Sequence, residues 1–370
     1  MASYDQIPTR SHEEVRTTTD EAALKFGSAV LEKVGTVEIL NDYTEKSSSE
    51  ISYKFNFSLH SEENAPEIAA SLFDCDIIAI ESTGDTTERR KQREVVFTQS
   101  LSDAVPRDIL EQVSAVLAKG GEGFTGKLLE NLAGSNKKVV LIDMSADEPD
   151  AHVLDEMDKA DEALFKGIAE NLSNDTLKTR LVESMKATAH ASMKREELVV
   201  RQLTAMQDID EIGGKKIGVV MGAVHTPVYH DLSKVFSVER EFTDARDSSS
   251  SARASYGHTA QMMRQLRLTP EKELDESLVN RTLVEEMYYA FKFYSSEDIS
   301  EVHDGDHRAR KIQKEITDKM SDEGVEAFLT ELDLIKLNGS RGVFGKRKPV
   351  STEQVYQFLL EQQRQYEDVA

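Results

Sequence analysis

Ile217-Gly218-Val219-Val220-Met221-Gly222-Ala223-Val224-His225 is the stretch that decides the fold. Its apolar part, Ile217–Met221, is short, continuous and rich in β-branched residues. Such a run reads as a strand covered on both faces. Ile77-Ile78-Ala79-Ile80, ending at Glu81, and Val139-Val140-Leu141-Ile142, ending at Asp143, repeat the pattern. Helical patterns separate the three. Asn64-Ala65-Pro66-Glu67 predicts a capped helix start, followed by Ile68, Ala69, Leu72 and Phe73. Further helical patterns run over 89–132, broken by Pro106 and Gly120-Gly121, and a long one over 176–206. Strands alternating with helices predict an α/β fold: a mostly parallel central sheet flanked by helices.

Outward from this core, Ile51–Leu59 alternates, with Tyr53, Phe55, Phe57 and Leu59 opposite Ser52, Lys54, Asn56 and Ser58. That spacing predicts a half-buried strand with His60 at its exit. Val34–Leu40 is short and β-prone, and Val235–Phe242 predicts one more strand. The chain therefore divides into an N-terminal arm and helix (1–33), an α/β domain (34–243), a serine-bearing linker or lid (244–268) and a helical C-terminal region (269–370).

The 370 residues hold 45 basic and 68 acidic side chains, a net charge of −23, with 39% hydrophobic content. So acidic a surface argues against nucleic acid and anionic membranes as partners. The single cysteine, Cys75, rules out an internal disulfide. No basic-then-apolar leader and no run of membrane-spanning length is present, so the expectation is a cytoplasmic protein.

Ligands of open parallel sheets bind beyond the carboxyl ends of the strands. Three residues of catalytic type, His60, Glu81 and His225, stand at predicted strand ends. At His225 the small Gly222 and Ala223 allow close backbone approach, and Pro227 fixes the exit. The long helix adds a fourth residue. Its apolar stripe Leu177, Leu181, Met185 resumes at Val199, Leu203 and Met206, and the gap carries Thr188, Ser192 and Arg195, with Glu196 beside it. Either Arg195 reaches a carboxylate or ligand in a cleft, or that part of the helix lifts into solvent.

The order of strand–His60, strand–Glu81, Val139-Val140-Leu141-Ile142-Asp143, a helix with Arg195-Glu196, and Gly222-Ala223-Val224-His225 resembles the TraB/TIKI/ChaN/erythromycin-esterase superfamily, and TraB-like members most. Members carry two Gly-x-x-His motifs, an acidic residue after the second strand and an arginine on a helix before the last motif. The likeness covers residues 34–242; the second motif matches at Gly222 and His225, while the first has Phe57 where the family has glycine. The resemblance implies a hydrolase of peptide, amide or ester bonds, acting on a peptide or small-molecule substrate through His60, Glu81, Arg195 and His225. In one version His60, Glu81 and His225 hold a divalent metal ion that activates water. In the other the histidines work as acid and base without metal, with Arg195 holding Glu81 or an anionic intermediate. Phe57 favours an alternative from a different class, a non-catalytic ligand- or partner-binding protein on the same scaffold.

Two rival clusters read as ordinary surface. His303-Asp304-Gly305-Asp306-His307 places histidines four apart, but Gly305 weakens the helix that would align them. Lys336–Lys348, with Gly339, Gly342 and Gly345, lacks the signature of a phosphate loop. The helical C-terminal region is expected to cover the cleft or to join copies of the chain as a homo-oligomer.

Overall fold

Strand β4 (Lys216–Gly222) lies at the centre of a five-stranded sheet ordered β3-β2-β4-β1-β5. The other strands are β1 (Ser52–Ser58), β2 (Ile77–Glu81), β3 (Lys138–Ile142) and β5 (Ser237–Thr243), and every pairing is parallel. The computed structural model describes residues 51–58, 60–206, 215–222, 225–243, 258–270, 272–295, 317, 319–338 and 358. The N-terminal arm, Val34–Leu40, the serine run Ser248–Ser251, His303, His307 and residues 339–349 lie outside these.

The connections explain why β4 is central. A turn at Glu62–Asn64 and helices α1 (Ala65–Ser71), α2 (Thr87–Ser100), α3 (Arg107–Lys119) and α4 (Gly123–Asn131) precede β3. Ile68, Leu72, Phe97, Leu117 and Leu128 from these helices cover one sheet face, against Ile78, Ile80, Val139, Leu141 and Val220. After β3 come α5 (His152–Ala169), α6 (Asn174–Ala205) and, beyond β4, α7 (Thr226–Leu232). Val199, Leu203 and Met206 of α6 and Val228 and Leu232 of α7 cover the opposite face, against Tyr53, Phe55, Phe57, Val219 and Met221. The strand order reverses direction here: β1 and β2 exit toward one face and β4 toward the other. In open parallel sheets such a reversal marks the strand ends where ligands bind.

Two details depart from the alternation reading. The later part of the polar side of β1, Asn56 and Ser58, is buried too, and α1 supplies a partner for Asn56. Asn56 is fully buried and donates to Ser71 Oγ and Thr243 Oγ1, both at 2.9 Å. Alternation records polarity, and polar groups tolerate burial once hydrogen-bonded. At the start of α1, Asn64 makes no side-chain cap hydrogen bond, since the preceding turn already sets its backbone helical. Gly218 permits the close approach of α1: a Cβ there would stand 2.8 Å from Leu72 Cδ2.

Two compact units divide the chain. The sheet unit runs to Glu148 and resumes at Glu196; the helical unit takes Pro149–Arg195 and the described residues from His258 onward. Its further helices are α8 (His258–Leu268), α9 (Glu276–Ser295) and α10 (Asp322–Asn338). Chain order alone puts α5 and the first half of α6 in the α/β domain, as an ordinary crossover. Their apolar faces lie instead in the helical core: Leu164, Ile168, Leu177, Leu181 and Met185 with Met262, Leu283 and Phe328. The two halves of the α6 stripe thus serve two cores, which accounts for the polar gap between them. Helix α8 also occupies part of the stretch expected as a linker. Lys336 belongs to the last turn of α10, not to a loop; its Nζ donates to Leu172 O and Asn174 Oδ1, both at 2.9 Å. Among the described residues no helix is long and apolar enough to cross a membrane.

Candidate functional site

His225 follows β4 and stands at the N-terminal boundary of α7, where Pro227 occupies the first turn. Its side chain is 3% exposed and lies between two carboxylates. Nδ1 is 3.0 Å from Glu196 Oε1, and Nε2 is 3.3 Å from Glu81 Oε1. Glu81 comes from the end of β2, and its Oε2 accepts the Gly222 N–H at 2.8 Å. A parallel sheet produces this meeting naturally: Ile80 is in register with Val220, so Glu81 ends its strand beside the end of β4. Glu196 arrives from α6, across the face that the helix covers. Of the three, Glu81 is the most exposed, at 13%.

The row Glu196–His225–Glu81 has a fixed proton arithmetic. Ionised carboxylates only accept, and a neutral imidazole has one N–H to give. Both contacts become hydrogen bonds only when the row holds one proton beyond neutral imidazole and two carboxylates. The carboxylates stand at opposite edges of the ring, so the three groups do not converge on one point. Among the described residues no group of three or more His, Cys, Asp and Glu is arranged to hold a metal ion.

The four residues singled out by sequence divide as follows. Glu81 and His225 meet. His60, just past β1 on the other side of β4, lays its ring flat on Phe124 of α4, with centroids 4.7 Å apart and planes 2° apart. Arg195 is half-buried and closes the α6 segment that belongs to the helical unit. Phe57 is a core residue, stacked on Phe55 at 5.4 Å and Phe242 at 5.5 Å.

Glu196 is the residue that sequence reasoning passed over in favour of its neighbour. Periodicity does not separate the two: at about 100° per residue, 195 lies roughly 40° to one side of 199 and 196 roughly 60° to the other, so both border the stripe of 199, 203 and 206. Around the row the strand exits are tied together. Arg90 of α2 donates through Nη1 to Asp143 O at 2.7 Å and through Nη2 to Ser82 O at 2.9 Å. Compared with known protein families, curated proteins and solved structures, the chain matches none.

Proposed function

We propose that this protein hydrolyses a peptide, amide or ester bond by general acid–base chemistry along the row Glu196–His225–Glu81. The single observation carrying the reading is that row, with contacts of 3.0 and 3.3 Å, at the carboxyl end of the central strand. Glu81, the outermost group, takes a proton from the water that attacks the carbonyl carbon. His225 carries positive charge while that proton resides in the row, and Glu196 holds the ring in place and balances the charge. As the carbon–leaving-group bond breaks, the same proton passes to the departing oxygen or nitrogen. The resemblance to TraB/TIKI-like proteins implies the same reaction class.

The burial of His225 favours a second reading, a binding protein in which the row only shapes a ligand pocket. Wild type and Glu81→Gln, His225→Ala and Glu196→Gln variants, assayed on a mixed ester, amide and peptide panel, separate the two. The expected result is wild-type turnover reduced about 10²–10⁴-fold in Glu81→Gln. Turnover that survives Glu81→Gln and His225→Ala would overturn the proposal. Turnover abolished by a chelator and restored by a divalent ion would replace it with the metal-assisted version.

A further inference from the structure

Among the described non-glycine residues of the sheet unit, Asp143 has the most strained backbone. Its φ is +105°, beyond the left-handed well in which Asn136 (+53°) and Asn171 (+55°) sit. A residue stays in such a conformation only when its surroundings over-determine it. They do so here from three directions. Gln202 of α6 grips the residue from both sides, taking the Asp143 N–H on Oε1 at 2.8 Å and giving Nε2–H to Asp143 O at 3.0 Å. Arg90 donates to the same carbonyl and to Ser82 O. The Asp143 carboxylate accepts the Met144 N–H at 2.7 Å, locking the turn from within.

These contacts close a ring with the row. Glu81 pairs in register with Ile142, the residue before Asp143, and Ser82 follows Glu81. From Ser82 the ring passes through Arg90 to Asp143, through Gln202 to α6, along α6 to Glu196, and through His225 back to Glu81. The two glutamates that flank His225 come from different elements, and the Asp143 peptide ties those elements together. We infer that Asp143 is a positioning residue, whose strained peptide sets the separation of Glu81 and Glu196 across His225. The inference rests on the reading of that row as the working site.

The test uses the full chain and two readouts: the ring N–H proton resonances of His225 by NMR, and hydrolysis on the same panel. Gln202→Ala removes the grip and leaves Asp143 itself untouched. Asp143→Val drives φ back to negative values, whereas Asp143→Asn tolerates positive φ and keeps an acceptor for Met144. In Gln202→Ala and Asp143→Val the His225 resonance is expected to shift or broaden, and kcat to fall roughly tenfold or more with KM unchanged. Asp143→Asn is expected to keep both. An unmoved His225 resonance in Gln202→Ala overturns the inference, and that variant decides alone where Asp143→Val does not fold. A wild type that hydrolyses nothing on the panel sinks the functional reading instead, because the resonance reports geometry and not turnover.

Discussion

Among the described residues, a buried histidine in each unit brings its Nδ1 to a glutamate, and the surroundings of the two contacts differ. In the helical unit His258 Nδ1 is 2.6 Å from Glu285 Oε1. Glu285 also accepts the backbone N–H of His258 at 3.0 Å, that of Thr259 at 3.4 Å, and the Thr317 hydroxyl at 3.2 Å. It is the cap of α8, a carboxylate at a helix N-terminus surrounded by donors. In the sheet unit the pair Glu196–His225 faces a second carboxylate, Glu81, at the exit of the central strand. The lesson is that a histidine–carboxylate contact does not by itself mark a working site. Glu285 also holds the backbone donors of a helix start, whereas the imidazole held by Glu196 meets a second carboxylate at the end of the central strand.

The largest expected effect breaks the cap. Glu285→Ala strands the buried His258 N–H, its ring nitrogen and the Thr317 hydroxyl, with the half-buried Thr259 N–H, and is expected to destabilise the helical unit by about 3–5 kcal/mol. Urea unfolding checks this, and turnover per folded molecule should not change. Next comes the sheet: Gly218→Val pushes a side chain into Leu72 and Cys75 beneath α1, for an expected loss of about 1–3 kcal/mol in the same measurement.

A smaller effect depends on pH. Burial pulls the Lys336 ammonium down from 10.5 to about 8. Between those values the unfolded chain binds the proton that the folded chain has released, so stability rises with pH across about 8 to 10.5. Lys336→Met is expected to flatten that rise, on the order of 2–3 kcal/mol, in unfolding curves taken at pH 7.5 and 10. The smallest effect is chemical. Burial pushes the Cys75 thiol up to about 11, so it should resist alkylation at pH 8 in folded protein and react once urea exposes it.

Much of this architecture is legible in the sequence. Ile77–Ile80, Val139–Ile142 and Ile217–Met221 became β2, β3 and β4 because a run apolar on both sides has few other places to go. The same logic places Glu81 at the end of β2 and His225 just past β4, as the structure has them. Glu196 is not legible in the same way, because helix periodicity places 195 and 196 about equally close to the stripe of 199, 203 and 206. Other features leave no local trace. The +105° φ at Asp143 is imposed by Gln202, 59 residues away in sequence, and by Arg90. The division of α6 between two cores depends on α8, α9 and α10, which follow much later in the chain.

On the proposed function Glu196 serves chemistry, whereas Glu285 serves structure. Glu196→Gln and Glu285→Gln, measured side by side for hydrolysis and for unfolding, test it most directly. Glu196→Gln is expected to lower turnover about a hundredfold with little change in melting, and Glu285→Gln to lower melting with turnover intact. Full turnover in Glu196→Gln, or lost turnover in a well-folded Glu285→Gln, would contradict it.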